Sequence, residues 1–337
     1  MPLLKSVIKN LPGAKWAARR LRARAADSVG EWLYRQEVVT WLYRPELRRQ
    51  MPLLYRSFGR YAQAQSVFWD GPIVGGATAF KAVMRLSDWF HRPDCVALNT
   101  GRYTVFLNLR DPRMLAVPRE LLAEGAEVSM LKSYLAEGDT FLDVGANHGS
   151  YAIIAAKQVG ASGWLLAVEP QPRMAALVEQ SLRVNARCRF EVHAIACGDR
   201  NGEAALFVPE SSSGAAGLFA GYSATAAHRQ LTVALRRFDD AFDWRKFPGE
   251  VVLKLDVEGS ELLFLRGARA MMRARKPRIL LEINPKSARA AGGTVTALIA
   301  GLLELGYARF AELSLPRTPR PLREMDVGRQ RNVMILP

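Results

Sequence analysis

The chain has 337 residues with a hydrophobic fraction of 49%, enough to bury one large core plus an appendage, which excludes a disordered protein. Its three cysteines, Cys95, Cys188 and Cys197, form no CxxC pair, and no apolar run approaches the roughly 20 residues of a membrane-spanning helix. A disulfide framework, a structural zinc site and a spanning protein are therefore not expected, and the absence of a long apolar core at the amino terminus points to the cytoplasm. The formal charge of +15 raises an anionic partner, and its placement decides which one.

Residues 1–60 hold thirteen Lys/Arg against four Asp/Glu, more than half of the excess. Leu3, Leu4, Val7, Ile8 and Leu11 recur at helical spacing until Pro12-Gly13 breaks the pattern, and Trp32, Tyr34, Trp41 and Tyr43 are interleaved with Arg35 and Arg44. One reading packs this apolar stripe on the main domain or on a second subunit, so a homodimer is compatible with it. The other lays residues 1–60 on an anionic membrane, which would place the protein at the inner membrane surface. No RNP-like, helix-turn-helix or zinc-finger pattern supports a nucleic-acid partner. Residues 61–94 carry no motif beyond a loop at Gly71 to Gly76, so residues 1–94 are expected to be a basic, mainly helical extension and 95–337 the main domain.

Val96, Leu98, Tyr103, Val105 and Leu107 alternate around Gly101 and predict a β-hairpin, and Glu120 to Leu135 reads as one amphipathic helix. The strand at Phe141 then ends in Asp143 and runs into Gly145-Ala-Asn147-His-Gly149-Ser. Gly145 and Gly149 suit a tight turn whose N–H groups face a ligand, and Asp143 stands at the carboxyl edge, where open α/β sheets bind ligands. A helix from Tyr151 to Gln158 and a strand from Trp164 to Glu169 follow. Glu169 falls about two dozen residues after Gly145, near the spacing of about 20 at which an acidic residue holds ribose hydroxyls.

After a helix at Arg173 to Val184, a third strand from Phe190 to Ile195 leads to the turn at Asp199. Strands at Glu203 to Val208 and Gln230 to Leu235 bracket Ser211 to Gly217, a small polar segment that either closes over a ligand or is a plain surface loop. In Val251 to Glu261, strand alternation puts Lys254, Asp256 and Glu258 on one side, with Glu261 in the first helical turn beyond Gly259. Pro277 to Glu282 is a fifth strand.

Four strands thus deliver Asp143, Glu169, Asp256 and Glu282 to one sheet edge. Each alone is explained as well by helix capping; together they point to a ligand. A pyrophosphate fits poorly in so anionic a site, and the turn lacks the full GxGxxG and a P-loop lysine. A cationic nucleoside fits.

The stretches Phe141 to Gly149, Val168-Glu-Pro, Ala196-Cys-Gly-Asp, Ser211 to Leu218, Lys254-Leu-Asp-Val-Glu-Gly-Ser-Glu261 and Pro277 to Glu282 resemble the FkbM-type S-adenosylmethionine-dependent methyltransferases. The resemblance covers roughly residues 95–337 and implies a Rossmann-like class I fold with a mostly parallel seven-stranded sheet, its last strands near Ala308 to Leu313 and Asn332 to Leu336. It implies that S-adenosylmethionine is held by Gly145, Asn147 and the Gly149 turn at its methionine part and by Asp143 at its amino group or ribose. By the same resemblance Glu169 holds the ribose hydroxyls, and Asp199 or a nearby backbone group the adenine. Lys254, Asp256, Glu258 and Glu261 would face the acceptor, with Asp256 or Glu258 as base and His148 or His193 as alternatives. No metal is expected; Asp256, Glu258 and Glu282 are the alternative magnesium ligands. The expected activity is O-methylation of a sugar, glycan or other small molecule. An RNA or protein methyltransferase is the alternative, although the Asn/Asp-Pro-Pro-aromatic motif of RNA base methyltransferases is missing. A non-catalytic cofactor-binding scaffold is the third reading.

Overall fold

A computed structural model of the chain describes residues 95–99, 102–108, 111–115, 117–122, 125–209, 213–220, 228–314 and 318–337. The chain divides into two compact units, Met1–Arg102 and Tyr103–Pro337. Of the first unit, strand β1 (Cys95–Asn99) and Arg102 are described; the expected helical extension lies outside the described residues.

The second unit opens with β2 (Thr104–Asn108), a short 3-10 turn at Pro112–Leu115, and helices α1 (Val117–Leu122) and α2 (Ala126–Tyr134). The sequence predicts one helix here. The structure breaks it before α2, where Gly125 takes φ −59 and ψ 168, outside the helical range, and its carbonyl accepts the first helical N–H of α2, from Ser129, at 2.9 Å. A βαβ unit follows: β3 (Thr140–Val144), α3 (Ser150–Gln158), β4 (Trp164–Val168), α4 (Pro172–Asn185) and β5 (Arg189–His193). Three strands, β6 (Ala196–Cys197), β7 (Gly202–Pro209) and β8 (His228–Arg236), form a separate small sheet in the order β6-β8-β7.

After α5 (Phe238–Ala241), the chain returns to the main sheet with β9 (Val251–Leu255), then α6 (Glu261–Gly267), α7 (Arg269–Arg275) and β10 (Arg278–Ile283). Helices α8 (Pro285–Ala290) and α9 (Val295–Glu304) lead to β11 (Arg309–Glu312), β12 (Arg320–Pro321) and β13 (Arg331–Leu336).

The main sheet has the order β12-β11-β13-β10-β9-β3-β4-β5. From β5 to β10 the pairs are parallel; β13, β11 and β12 are antiparallel additions. The count is eight rather than the expected seven. The extra strand is β12, two residues paired through Phe310↔Arg320 and Arg309↔Pro321, too short for any periodicity and tolerant of proline because it is an edge. Strands β3, β4 and β9 are buried at every position, as parallel strands covered on both faces must be; β4 is apolar throughout, and the runs of β3 and β9 are interrupted only by Thr140, Asp143 and Lys254.

Leu142 and Val144 of β3, Leu253 and Leu255 of β9, Ile279 and Leu281 of β10 and Val333 and Ile335 of β13 pack with Phe264, Leu298 and Leu302 into one core. Burial of each such side chain contributes about 1.5–3 kcal/mol. Trp164 and Phe247 add an edge-to-face contact at 5.4 Å. The order of strand addition reverses at β3, with β4 and β5 on one side of it and β9 and β10 on the other, the switch point where open α/β sheets place their ligands.

Candidate active site

The chain turns sharply after β3 because three residues there take left-handed backbone: Gly145 (φ 87), Asn147 (φ 50) and Gly149 (φ 76). At Gly145 a side chain is also sterically impossible, since a Cβ would lie 1.9 Å from the backbone oxygen of Asp256. The turn is therefore wedged against the end of β9. Gly145 and Ala146 donate their N–H groups to the Val168 carbonyl at 2.9 and 3.1 Å, and Asp256 donates to the Val144 carbonyl at 3.2 Å, so three strand ends are laced together.

Glu169, directly after β4, is buried. One of its oxygens accepts from the Asn147 N–H at 2.8 Å; the other accepts from the Gln171 N–H at 2.9 Å and the Gln171 side-chain amide at 3.1 Å. Burial outweighs these bonds and pushes its carboxyl up to about 7. Asp143 is buried too, and neither of its oxygens meets a partner in hydrogen-bonding geometry. Burial raises it to about 6, Lys254 across the β3-β9 ladder opposes the shift, and the nearby Ala152 N–H offsets a smaller part.

Beyond β9 a second group of carboxylates gathers. Buried Lys254 places its Nζ 3.0 Å from Asp256 Oδ2 and 5.0 Å from the centre of the Tyr151 ring. Burial works against the Lys254 ammonium, but Asp256 and Asp143 outweigh it and hold the group above the ordinary lysine value. Burial likewise works against the Asp256 carboxylate, and Lys254 outweighs it, so Asp256 stays below the ordinary range. Glu258, itself at φ 49, accepts from Ser287 Oγ at 3.0 Å, and Glu282 accepts from the Gln330 amide at 2.8 Å. Burial first, and the charge of Asp256 second, raise Glu258 to about 7 and Glu282 to about 8.

Glu169, Lys254, Asp256 and Glu258 line one cleft of about 840 Å³, counted out to its open mouth. Its floor is the Val144 to His148 turn. Its lining combines the apolar Ile195, Leu206 and Leu218 with the charged Lys254, Asp256 and Glu258. The donor set fits a cationic nucleoside: a flat base suits the apolar residues Ile195, Leu206 and Leu218, the Glu169 oxygen that accepts a single hydrogen bond keeps a lone pair for a hydroxyl, and the unpartnered Asp143 carboxylate adds negative field.

Residues 143–308 match the family described as the Methyltransferase FkbM domain. This chain carries an FkbM methyltransferase domain. Its α/β fold with a mainly parallel sheet is the Rossmann-like methyltransferase fold expected above, with eight strands in place of seven. No curated protein matches the chain. Similar solved structures include a methyltransferase FkbM from Methylobacillus flagellatus, 17% identical, with 67% of this chain and 54% of that chain covered and a TM-score of 0.38. An S-adenosylmethionine-dependent O-methyltransferase from Thermotoga maritima is 13% identical, with 74% and 80% covered and a TM-score of 0.35. The chain thus spans about half the length of the Methylobacillus protein.

Within the FkbM domain, Gly145, Asn147, Glu169, Lys254, Asp256 and Glu258 come together at the cleft, whereas four other candidates stand away from its lining. Gly149 caps α3 and packs against Val178; Asp143 lies behind the wall. Asp199 sits in the turn after β6, 3.8 Å from Arg200, and the lining there is Ile195, Ala196 and Cys197. Glu261 accepts from the Val257 and Gly259 N–H groups, both at 3.2 Å, and so closes its own turn; burial raises it to about 7.

Asp256, Glu258 and Glu282 each bring one carboxylate oxygen within 4.8 Å of the others, with the Lys254 ammonium already beside them. His193 pairs with Glu191 at 3.2 Å and lines a separate surface depression, and His148 is buried. Sequence reasoning missed Arg113 and Glu120, which form an ion pair at the cleft and lie upstream of the matched segment; Ser150 Oγ donates to Glu120 at 2.6 Å. It also missed Tyr151, which donates to Glu127. Among the described residues, no helix is long and apolar enough to cross a membrane.

Proposed function

We propose that the FkbM domain binds S-adenosylmethionine in this cleft and O-methylates a hydroxyl of a glycan or related small molecule. The observation that carries the reading is the Lys254–Asp256 pair, held at 3.0 Å in the same cleft that Glu169 lines. S-adenosylmethionine supplies a methyl group already activated by a sulfonium, so the protein's task is alignment, exclusion of water and removal of one proton.

Each role follows from the local chemistry. The Gly145 to Asn147 turn and Glu169 orient the donor, with Glu169 accepting from ribose hydroxyls. Asp256, kept ionised by Lys254, accepts the hydroxyl proton of the acceptor at its carboxylate as the oxygen gains the methyl group. Glu258, raised to about 7, is half protonated near neutrality and donates to a neighbouring oxygen of a polyhydroxylated acceptor, while Glu282, outside the cleft lining and raised to about 8, keeps its proton for Asp256.

The test is transfer of labelled methyl from S-adenosylmethionine by the full chain into fractionated cell-envelope glycans, RNA and protein. Label is expected in the glycan fraction and should resist mild alkali, as an ether does and an ester does not. Asp256→Asn should lower its rate by about 10²–10⁴-fold. Label confined to RNA or protein overturns the reading.

A further inference from the structure

A buried chain of hydrogen bonds joins three segments distant in sequence. Asp111, just before the 3-10 turn, accepts at Oδ1 from the Arg113 N–H and the Ser213 N–H, both at 3.1 Å, and at Oδ2 from Ser213 Oγ. Ser213 Oγ also meets Asn147 Nδ2 at 2.8 Å, and Asn147 Oδ1 meets His148 Nδ1 at 2.8 Å.

The direction of every bond is fixed by its ends. A carboxylate only accepts, so the Ser213 hydroxyl donates to Asp111 and must accept from the Asn147 amide. The Asn147 oxygen is then left facing His148, whose Nδ1 must donate. Burial lowers His148 to about 4, so the ring is neutral near pH 7 and its single proton sits on Nδ1. Its Nε2, 3.8 Å from Asp111 Oδ2, is accordingly without a partner.

Capping the 3-10 turn requires only one Asp111 oxygen. The second is spent on Ser213, which starts the segment whose Gly214, Ala216, Gly217 and Leu218 wall the cleft. That segment is tied down at both ends. Near Ser213, the Gln171 amide reaches the Ser213 carbonyl at 3.5 Å and Glu169 at 3.1 Å. Further on, Gly217 exchanges backbone bonds with Phe207 and lies so close to Glu258 that a Cβ would stand 3.1 Å from the Glu258 carbonyl oxygen. At the other end of the chain of bonds, the same Asn147 donates its N–H to Glu169.

We propose that Asp111, upstream of the matched family segment, is a positioning residue for the methyl donor: through Ser213 it fixes one wall of the cleft, and through Asn147 the N–H that aims Glu169. This rests on the reading of the cleft as the S-adenosylmethionine site. Asp111→Asn keeps a carbonyl for the 3-10 turn but offers Ser213 a donor where it needs an acceptor. Ser213→Ala breaks the same link from a segment outside the main core.

Calorimetric titration of the full-length variants with S-adenosylmethionine tests the proposal. Each single variant should lose about 10-fold in affinity, with the melting temperature lowered by no more than a few degrees. The double variant should be no worse than either single one, because both cut one chain of bonds. Ser213→Thr, which restores the hydroxyl, should recover most of the affinity. Unchanged affinity in both single variants overturns the proposal, as do losses that add in the double variant and follow the melting temperature. If the wild-type chain shows no binding heat, the cofactor reading itself fails and this one with it.

Discussion

The two halves of the cleft are built on different principles. On the side proposed for the donor, the backbone N–H groups of the turn after β3 bond to the Val168 carbonyl and, 22 residues away in sequence, to the Glu169 carboxylate, contacts that fix geometry. On the side proposed for the acceptor, carboxylates from the end of β9 and from β10 are gathered near one ammonium and steadied by Ser287 and Gln330 from 29 and 48 residues away. The first half positions. The second half distributes protons among groups whose affinities have been pulled apart, with Asp256 below the ordinary carboxylate range and Glu258 and Glu282 well above it.

Gly145 is where the halves meet, and breaking it should have the largest effect on the fold. Gly145→Ala demands a left-handed backbone that costs an L-residue about 1–2 kcal/mol. It also forces the Asp256 carbonyl away from an atom that would lie at 1.9 Å. Chemical unfolding should show a loss of about 3 kcal/mol or more, in the upper range for single substitutions. A loss below about 1 kcal/mol would mean that the two strand ends are not in contact as described.

A smaller and opposite distinction appears with pH. Glu169, Glu258 and Glu261 are raised to about 7 and Glu282 to about 8 from an ordinary value of 4.5, so the folded chain holds these protons more tightly than the unfolded chain. Their contribution to stability is complete below pH 4.5 and is lost as pH rises through 7 and 8. Asp256 and Lys254 behave differently: the lowered carboxylate contributes above its ordinary range, and the raised ammonium is still charged throughout this window. The melting temperature should therefore fall by a few degrees between about pH 6 and pH 8.5, and less so in Glu258→Gln. A rising melting temperature across that window contradicts the proton assignment.

The donor half was also the more legible. A buried parallel strand is mostly apolar, so β3, β4 and β9 stand out in the sequence to within a residue or two despite Asp143 and Lys254, and the interval from Gly145 to Glu169 points to the partner carboxylate. Local turn geometry was not legible. The left-handed pair Glu258 and Gly259 rotates the chain after β9, which carries Glu261 back to its own turn's N–H groups and away from the cleft. The break between α1 and α2 depends on the extended backbone at Gly125, a choice the surrounding apolar spacing does not record. Asp111, Arg113 and Glu120 reach the site by tertiary folding alone, from about 30 residues before the glycine turn and without any periodic signal.

The division between the halves is tested most directly by equilibrium titration of the full chain with S-adenosylmethionine, comparing Glu169→Gln with Asp256→Asn. Glu169→Gln should weaken binding by about 10-fold, the cost of one charge-assisted hydrogen bond, while Asp256→Asn should bind within about 3-fold of the unaltered protein. Equal losses in the two variants, or no saturable binding by the unaltered chain, would contradict a cleft that holds the methyl donor on one side and its acceptor on the other.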